Sequence, residues 1–422
     1  MSERPQAPRG TFDVLPDQAA LRLAVERCAR GALEAAGYQR IETPVFEDTD
    51  VFRRTVGEST DIVQKEMYTF EDAGGRSLTL RPEVTAPIVR AYIEHGMHKL
   101  PQPVKLWYLG PCFRYERAQA GRYRQFWQLG AEALGSDDPA VDAESILLLA
   151  TILDELGVRG TRLRIASLGT PASRARYREL LQGHLRAHED RLAAEVRARI
   201  DLNPLRAFDS DHPGTREVMA SAPLLLDHLD AADAEHFAQV RELLDAAELP
   251  YEIDPTLVRG LDYYTRTVFE LTSDALGAQS GVGGGGRYDG LAEQLGGAHV
   301  PGMGWAAGIE RILLAAEERP VPAPICDLYV AVTGNGPGAG GPAAVAAFAL
   351  AAEARRAGVP TQIELAGRSL KGQLKQAARL GARYVAIVAD EGIELKDMQS
   401  AQQESVESAG AVVAHVLRGR HA

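Results

Sequence analysis

Three arginines stand in contexts that suit the handling of an anion: Arg114 in CFRYER, Arg259 in LVRGLDYYTRTVFE and Arg311 in GMGWAAGIERILL. A guanidinium stays charged and offers a planar fork of donors that matches two phosphate oxygens. Arg114 falls near the end of an extended run, and Glu116, two residues on, shares its face. Arg259 stands at the entry to a strand and precedes a glycine. Arg311 reads as part of a helix beginning at Met303, with Gly304, Ala307 and Gly308 one and two turns before it, so that a ligand can approach closely. The same small residues also suit plain helix–sheet packing with a surface ion pair, and pattern alone leaves both readings open. The run RQFWQLGAE alternates with period two, which puts Arg124, Phe126, Gln128, Gly130 and Glu132 on one face. Charge, a ring, an amide and a glycine on one face suit a small-molecule pocket or, equally, the solvated face of an edge strand.

Other familiar constellations are missing. No Gly-Lys dipeptide occurs, so there is no P-loop. The run GVGGGG (residues 281–286) looks like a phosphate loop but lacks the Lys-Ser/Thr that should follow. It reads instead as a strand or turn whose backbone passes close to a neighbour. His184 and His188 have metal-ligand spacing but lie in a charged helix without the glutamate of H-E-x-x-H, and read as a solvated face. Cys28, Cys112 and Cys326 form no C-x-x-C pair, which excludes a disulfide framework and a cysteine-rich zinc site. Near the end, Arg368, Lys371, Lys375 and Arg379 recur every three or four residues as a basic stripe. From Ala323 onward the chain carries net +1, against −13 for the remainder. A nucleic-acid contact needs such a locally basic module, although a charge stripe is also what a solvated helix face looks like.

The elements that must position these groups come in runs. Asp17 reads as the N-cap of a first helix carrying Leu21, Val25, Cys28, Ala32 and Ala36, stopped by Gly37. Extended segments follow at 39–46, 66–70 and 77–80, then a helix over 82–94. A long hairpin joins 104–115 to 122–134 through a charged turn. Runs of strands and helices, not strict alternation, predict an α+β antiparallel sheet flanked by helices and argue against a Rossmann sheet. Residues 164–254 are arginine- and glutamate-rich with helical period, and read as an inserted helical subdomain; extended character returns at 257–272, and a last helix spans 303–318. Pro320, Pro322 and Pro324 mark a stiff linker to a small strand–helix–strand unit over 323–422. The length of 422 residues suits two or three domains, and 45% apolar with 25% charged residues excludes a disordered or collagenous chain. A net charge of −12 excludes a blanket polyanion binder. The opening MSERPQAPRG has no signal-peptide core, and no apolar stretch reaches the ~20 residues of a membrane span, so a soluble, cytoplasmic protein with no membrane partner is expected.

Taken in order, these segments resemble the class II aminoacyl-tRNA synthetases, and within them the histidyl-tRNA synthetase family, over nearly the whole chain. RGTFDVLP opens the match, and GYQRIETPVFE with Pro44 looks like the dimer-interface motif. WYLGPCFRYERAQAGRYRQFWQLGAE looks like motif 2 and GMGWAAGIERILL like motif 3. TLRPEVTAPIVR continues the match, LVRGLDYYTRTVFE and GGGGRYDGL look histidine-specific, and RSLKGQLKQAARLGA resembles the anticodon-binding helix. The resemblance implies activation of L-histidine with ATP to histidyl-adenylate and pyrophosphate, then transfer of the histidyl group to the 3′ end of tRNA(His). It implies Arg114 on the α-phosphate, Arg311 on the distal phosphates, Glu116, Arg122 and Phe126 at the remainder of ATP, and Arg259 beside the reacting phosphate. Glu83 and Thr85 would receive the ammonium group, with Gln128, Glu132, Tyr263 and Tyr264 framing the side chain. Arg368, Lys371, Lys375 and Arg379 would meet tRNA. Mg²⁺ would accompany ATP, no zinc would be needed, and the chain would form a homodimer. The implied domains are a catalytic body over 1–163 and 255–319, the insertion at 164–254, and an anticodon-binding domain at 323–422. The sequence departs from the family pattern in the Gly/Pro-rich run 334–342 and the shortened segment 390–399. The rival is a synthetase-like regulatory subunit of ATP phosphoribosyltransferase, which shares the sheet but lacks the last domain and erodes the catalytic arginines.

Overall fold

The computed structural model describes residues 4–57, 60, 62–117, 121–257, 261, 263–316, 326–333 and 341–420. These divide into two compact units, Met1–Val321 and Pro322–Ala422. In chain order the strands of the first are β1 (Gln39–Arg40), β2 (Phe46–Asp48), β3 (Tyr68–Glu71), β4 (Ser77–Leu80), β5 (Val104–Phe113), β6 (Gln125–Leu134), β7 (Thr161–Ser167), β8 (Glu252–Ile253), β9 (Thr265–Ser273), β10 (Gly281–Arg287) and β11 (Gly302–Gly308). Eight of them form one sheet in the order β1-β5-β6-β11-β10-β9-β7-β8. It is antiparallel except where β1 joins β5 and β8 joins β7 at the two edges. Strands β2, β4 and β3 make a small separate sheet. The architecture is α+β.

Period-two alternation explains how this sheet is covered. The odd residues of β6, Leu129, Ala131 and Ala133, join Met303, Trp305 and Ala307 of β11 in a buried core. That core is closed by the helices Pro16–Ala35, Pro139–Glu155 and Ala231–Ala246 through Val25, Leu149, Phe237 and Val240. The even residues of β6 are left for the opposite face, which carries the cleft described below. Behind the sheet Arg287 is fully buried and donates to Asp142, which also holds His236 at 2.9 Å. This network ties β10 to two of the covering helices.

Several sequence expectations change. Residues 302–308 are strand β11, and the helix carrying Arg311 is only Ile309–Ala315. Gly304, Ala307 and Gly308 are therefore sheet residues; small side chains prefer neither state strongly, and pairing with β6 decides. Within 164–254, strand β7 belongs to the large sheet and the helix Ala231–Ala246 packs in its core, which leaves 171–228 as the helical layer. The first helix begins at Pro16 with Leu15 as N-cap and no side-chain cap bond; Asp17 sits in its first turn, where a negative charge meets the positive helix end. GVGGGG is strand β10.

The second unit contains β12 (Leu328–Val332), β13 (Thr361–Ile363), β14 (Tyr384–Ala389), β15 (Gly392–Asp397) and β16 (Gln403–Val406), in the order β13-β12-β14-β15-β16. The first three are parallel, as strand–helix–strand connections require, and β15 and β16 add an antiparallel edge. The helices Pro342–Arg356 and Ala409–Arg420 pack with the sheet in one core. The proline linker and residues 334–340 lie outside the described residues.

Candidate active site

The front of the large sheet holds a cleft of about 240 Å³. Its floor is built from backbone. Gly304 of β11 pairs with Glu132 of β6 on one side and Gly286 of β10 on the other, and Gly304 lines the cleft together with Gly283 and Gly284 of β10. A Cβ on Gly304 would fall 1.7 Å from Glu132 Oε2, and one on Gly285 would fall 1.9 Å from the Gly304 carbonyl. The glycine run exists because side chains there would fill the cleft floor or break the strand pairing.

One end of the cleft is cationic. Arg114, Arg122 and Arg311 line it together with Glu116, Phe126 and Glu270. The Arg114 guanidinium lies 5.3 Å from the Phe126 ring centroid, and its Nε donates to the Pro82 carbonyl at 2.9 Å. Arg122 pairs with Glu116 at 3.3 Å. Arg311 donates to the carbonyls of Gly121 and Gly281, which fixes its fork over the strand–loop junction. Burial first, then the nearby Arg122 and Arg114 charges, push its pKa down. A guanidinium remains charged even so, and cations gathered this closely are relieved by an arriving anion.

The other end is a carboxyl chamber. Glu83 precedes the helix Thr85–Glu94, and its carboxylate accepts from the Thr85 and Ala86 backbone N–H groups at 2.7 and 3.0 Å. Burial raises its pKa, and those backbone bonds oppose the shift. Thr85 Oγ1 donates to Glu132 Oε1 at 2.7 Å, and the Tyr288 hydroxyl donates to the other Glu132 oxygen. Glu132 is 0% exposed; it lies directly beneath Thr85, Tyr288 and Gly304, all of which line the cleft. Desolvation pushes its pKa to about 8, against the pull of its two hydroxyl donors. Gln128 accepts from the Cys112 thiol at 3.2 Å, and that buried thiol is pushed up to about 12. Tyr263 and Tyr264 wall the chamber, their ring centroids 4.8 Å apart. They enter through a bulge in β9: Arg287 pairs with Thr265 but Gly286 with Val268. Within the bulge Arg266 has φ 44°, and buried Asp233 holds its guanidinium at 3.0 Å. A bulge of this kind re-aims side chains toward a site.

The structure therefore brings Arg114, Glu116, Arg122, Phe126, Arg311, Glu83, Thr85, Gln128, Tyr263 and Tyr264 to one cleft, with Glu132 just below. Arg259 lies outside the described residues. Arg124 is not with them: it stacks 3.9 Å from the Tyr115 ring centroid at the hairpin tip. Sequence reasoning missed Tyr288, although its motif GGGGRYDGL was noticed; Tyr288 directly follows the glycine strand and is the one aromatic ring that segment can offer. In the second unit Lys371, Lys375 and Arg379 are exposed at four-residue spacing on the helix Leu370–Arg379, whereas Arg368 precedes the helix and pairs with Glu364 at 3.2 Å. His184 bonds the Val218 carbonyl and His188 the His184 carbonyl. No cluster of three metal-ligating side chains occurs among the described residues, and none of their helices is long and apolar enough to cross a membrane.

A sequence model described as Histidyl-tRNA synthetase matches residues 10–312. The chain is 49% identical over 408 residues to the Histidine--tRNA ligase of Nocardia farcinica, covering 95% of each. It is 46% identical over 409 residues to the enzyme of that name from Halothermothrix orenii, covering 95% of this chain and 96% of that one. Among solved structures, apo histidyl-tRNA synthetase of S. aureus superposes with TM-score 0.82 at 36% identity, over 98% of this chain and all of that one.

Proposed function

The chain belongs to the histidyl-tRNA synthetase family, and from that premise we propose that the cleft carries out both steps of a histidine–tRNA ligase. The protein activates L-histidine with ATP to histidyl-adenylate and pyrophosphate, then transfers histidine to the 3′ end of tRNA(His). In the first step a histidine carboxylate oxygen attacks the α-phosphorus and the bond to the β-phosphate oxygen breaks. The nucleophile is already ionised at neutral pH, so the step needs alignment and charge relief and no general base. In the second, a hydroxyl of the terminal ribose attacks the acyl carbon and AMP departs.

The observation that carries this reading is a row of three arginines and a buried carboxyl chamber in one cleft. Arg114 serves the α-phosphate, Arg311 the distal phosphates, and Glu116, Arg122 and Phe126 the rest of ATP. Arg259 serves the reacting phosphate. Glu83 and Thr85 take the ammonium end; Gln128, Glu132, Tyr263 and Tyr264 surround the imidazole. Glu270, a carboxylate on the cleft wall, suits Mg²⁺ entering with ATP, and the ion would supply further relief of phosphate charge. The second unit reads the anticodon region, with Lys371, Lys375 and Arg379 as phosphate contacts and Arg368 beside them. The chain works in the cytoplasm as a homodimer; exposed Val45 and Phe46, next to Pro44, support an interface there. The ligases cited above, 46% and 49% identical over 95% of this chain, support this reading over that of a regulatory subunit.

Histidine-dependent exchange of pyrophosphate into ATP tests the reading. Exchange is expected, and its absence in a folded protein would overturn it. Arg259→Ala is expected to slow exchange by ~10²–10³ with little change in stability.

A further inference from the structure

Of the three non-glycine residues with positive φ among the described residues, two stand in ordinary places: Glu248 just past a helix end and Ala401 in the turn between β15 and β16. Arg266, with φ 44°, lies inside strand β9. Left-handed backbone within a strand is disfavoured for any residue but glycine, and it persists only where the surroundings hold it. The Arg266 N–H donates to the Gly169 carbonyl at 2.9 Å, and its own carbonyl accepts from the Leu168 N–H at 2.7 Å. Its Nε donates to Asp233 Oδ1 at 3.0 Å. Asp233 is fully buried in the first turn of the helix Ala231–Ala246. Its other oxygen accepts from the Thr170 N–H at 2.7 Å and lies 2.8 Å from Ser173 Oγ. The carboxylate is thus fixed by the entry to the helix Pro171–Ala187, and it fixes the guanidinium in turn.

What this latch holds is the bulge. Gly286 and Arg287 are consecutive on β10, but their partners on β9 are Val268 and Thr265, so Arg266 and Thr267 are extra residues there. Just before them Tyr263 and Tyr264 reach the cleft wall. Tyr264 Cδ1 lies 3.0 Å from where a Cβ on Gly286 would stand, so its ring passes over the glycine strand. Arg174, next to Ser173 in the chain, donates to the Tyr264 carbonyl at 2.8 Å and adds a second tie from the same helix. Neither Arg266 nor Asp233 lines the cleft. We propose that both are positioning residues: their ion pair keeps the bulge in a backbone conformation that an arginine disfavours, and so keeps two aromatic walls of the cleft in place. A wall set by strained backbone drifts once the contacts that impose the strain are removed.

The inference rests on the cleft being that of a histidine–tRNA ligase, and the test separates the two. Histidine-dependent pyrophosphate exchange and thermal melting are measured on wild type, Arg266→Ala, Arg266→Gly and Asp233→Asn. Alanine removes the ion pair and keeps the disfavoured φ, whereas glycine removes both, because it adopts positive φ without steric cost. In an ordinary strand glycine is the worse of the two; with the latch the order reverses. KM for histidine is expected to rise ~10-fold in R266A and by no more than ~3-fold in R266G, with KM for ATP within ~2-fold of wild type in both. D233N, which keeps the size and loses the charge, is expected to match R266A, and R266G is expected to melt at or above R266A. Wild-type kinetics in R266A or D233N, glycine doing worse than alanine, or equal loss for both substrates would each overturn the latch. Wild type without histidine-dependent exchange would overturn the functional reading instead, and the order of the two melting temperatures would still decide the latch.

Discussion

Glu132 is a carboxyl enclosed by two hydroxyls and a glycine floor, and its raised pKa of about 8 has a consequence for stability. The folded chain holds this proton more tightly than the unfolded chain, whose carboxyl titrates near 4.5. Stability without ligand should therefore fall as pH rises from about 4.5 to about 8, by on the order of a few kcal/mol. Glu132→Gln should flatten that slope, leaving the variant at least as stable as wild type at pH 8.5 in urea titrations, while histidine-dependent exchange drops by ~10² or more. A variant with the wild-type slope would show that another group titrates. At the cationic end, Arg114→Ala should reduce exchange by ~10²–10³, and Arg114→Lys should recover little, because a point charge cannot replace a fork aimed from the Pro82 carbonyl. Steady-state kinetics with saturating histidine would measure both. Arg114 and Glu132 were legible as candidates from residue type and period-two phase. Tyr288 was not, because nothing local says that its hydroxyl reaches a carboxylate 156 positions away.

At the scale of elements, the cleft is a property of strand pairing. β6, β11 and β10 lie side by side, with Gly304 of β11 paired between Glu132 and Gly286, and the side chain that Gly304 lacks leaves room for the Glu132 carboxyl. Gly304→Ala would drive a methyl into Glu132 Oε2, with the Ala131 carbonyl oxygen only 2.7 Å away. The expected result is a rise of at least ~10-fold in KM for histidine with a much smaller change for ATP; equal effects on both substrates would mean that the sheet itself had shifted. The glycine run was visible in the sequence as a place of close backbone approach, and the hairpin around Arg114 as two extended runs. The placement of Gly304 and Gly308 was not, since spacing among small residues fits a helix as well as a strand until a partner strand is supplied. Likewise the Ala231–Ala246 helix has a helical period and no local sign that it belongs to the sheet's core and not to the insertion.

At the scale of the whole molecule, the proposed function assigns its two kinds of chemistry to two compact units. Lys371 and Lys375 are exposed on one helix of the second unit. Neutralising Lys371 and Lys375 together should raise KM for tRNA and flatten the salt dependence of charging, while exchange stays near wild type. Parallel loss of both activities would contradict that division. Arg368 should contribute less than the lysines, because Glu364 already engages it.

The sequence by itself determined the family, the α+β class and nearly every polar group of the cleft, because residue type and period-two or helical phase are local properties that survive in a string of letters. Only the tertiary structure decided which of those groups meet. It set the register that pairs Gly304 with Glu132, the bulge that turns Tyr263 and Tyr264 inward, and the hydroxyl of Tyr288 on a carboxylate from a distant strand. Those contacts depend on pairing energies between segments far apart in the chain, and no window along the sequence contains both partners.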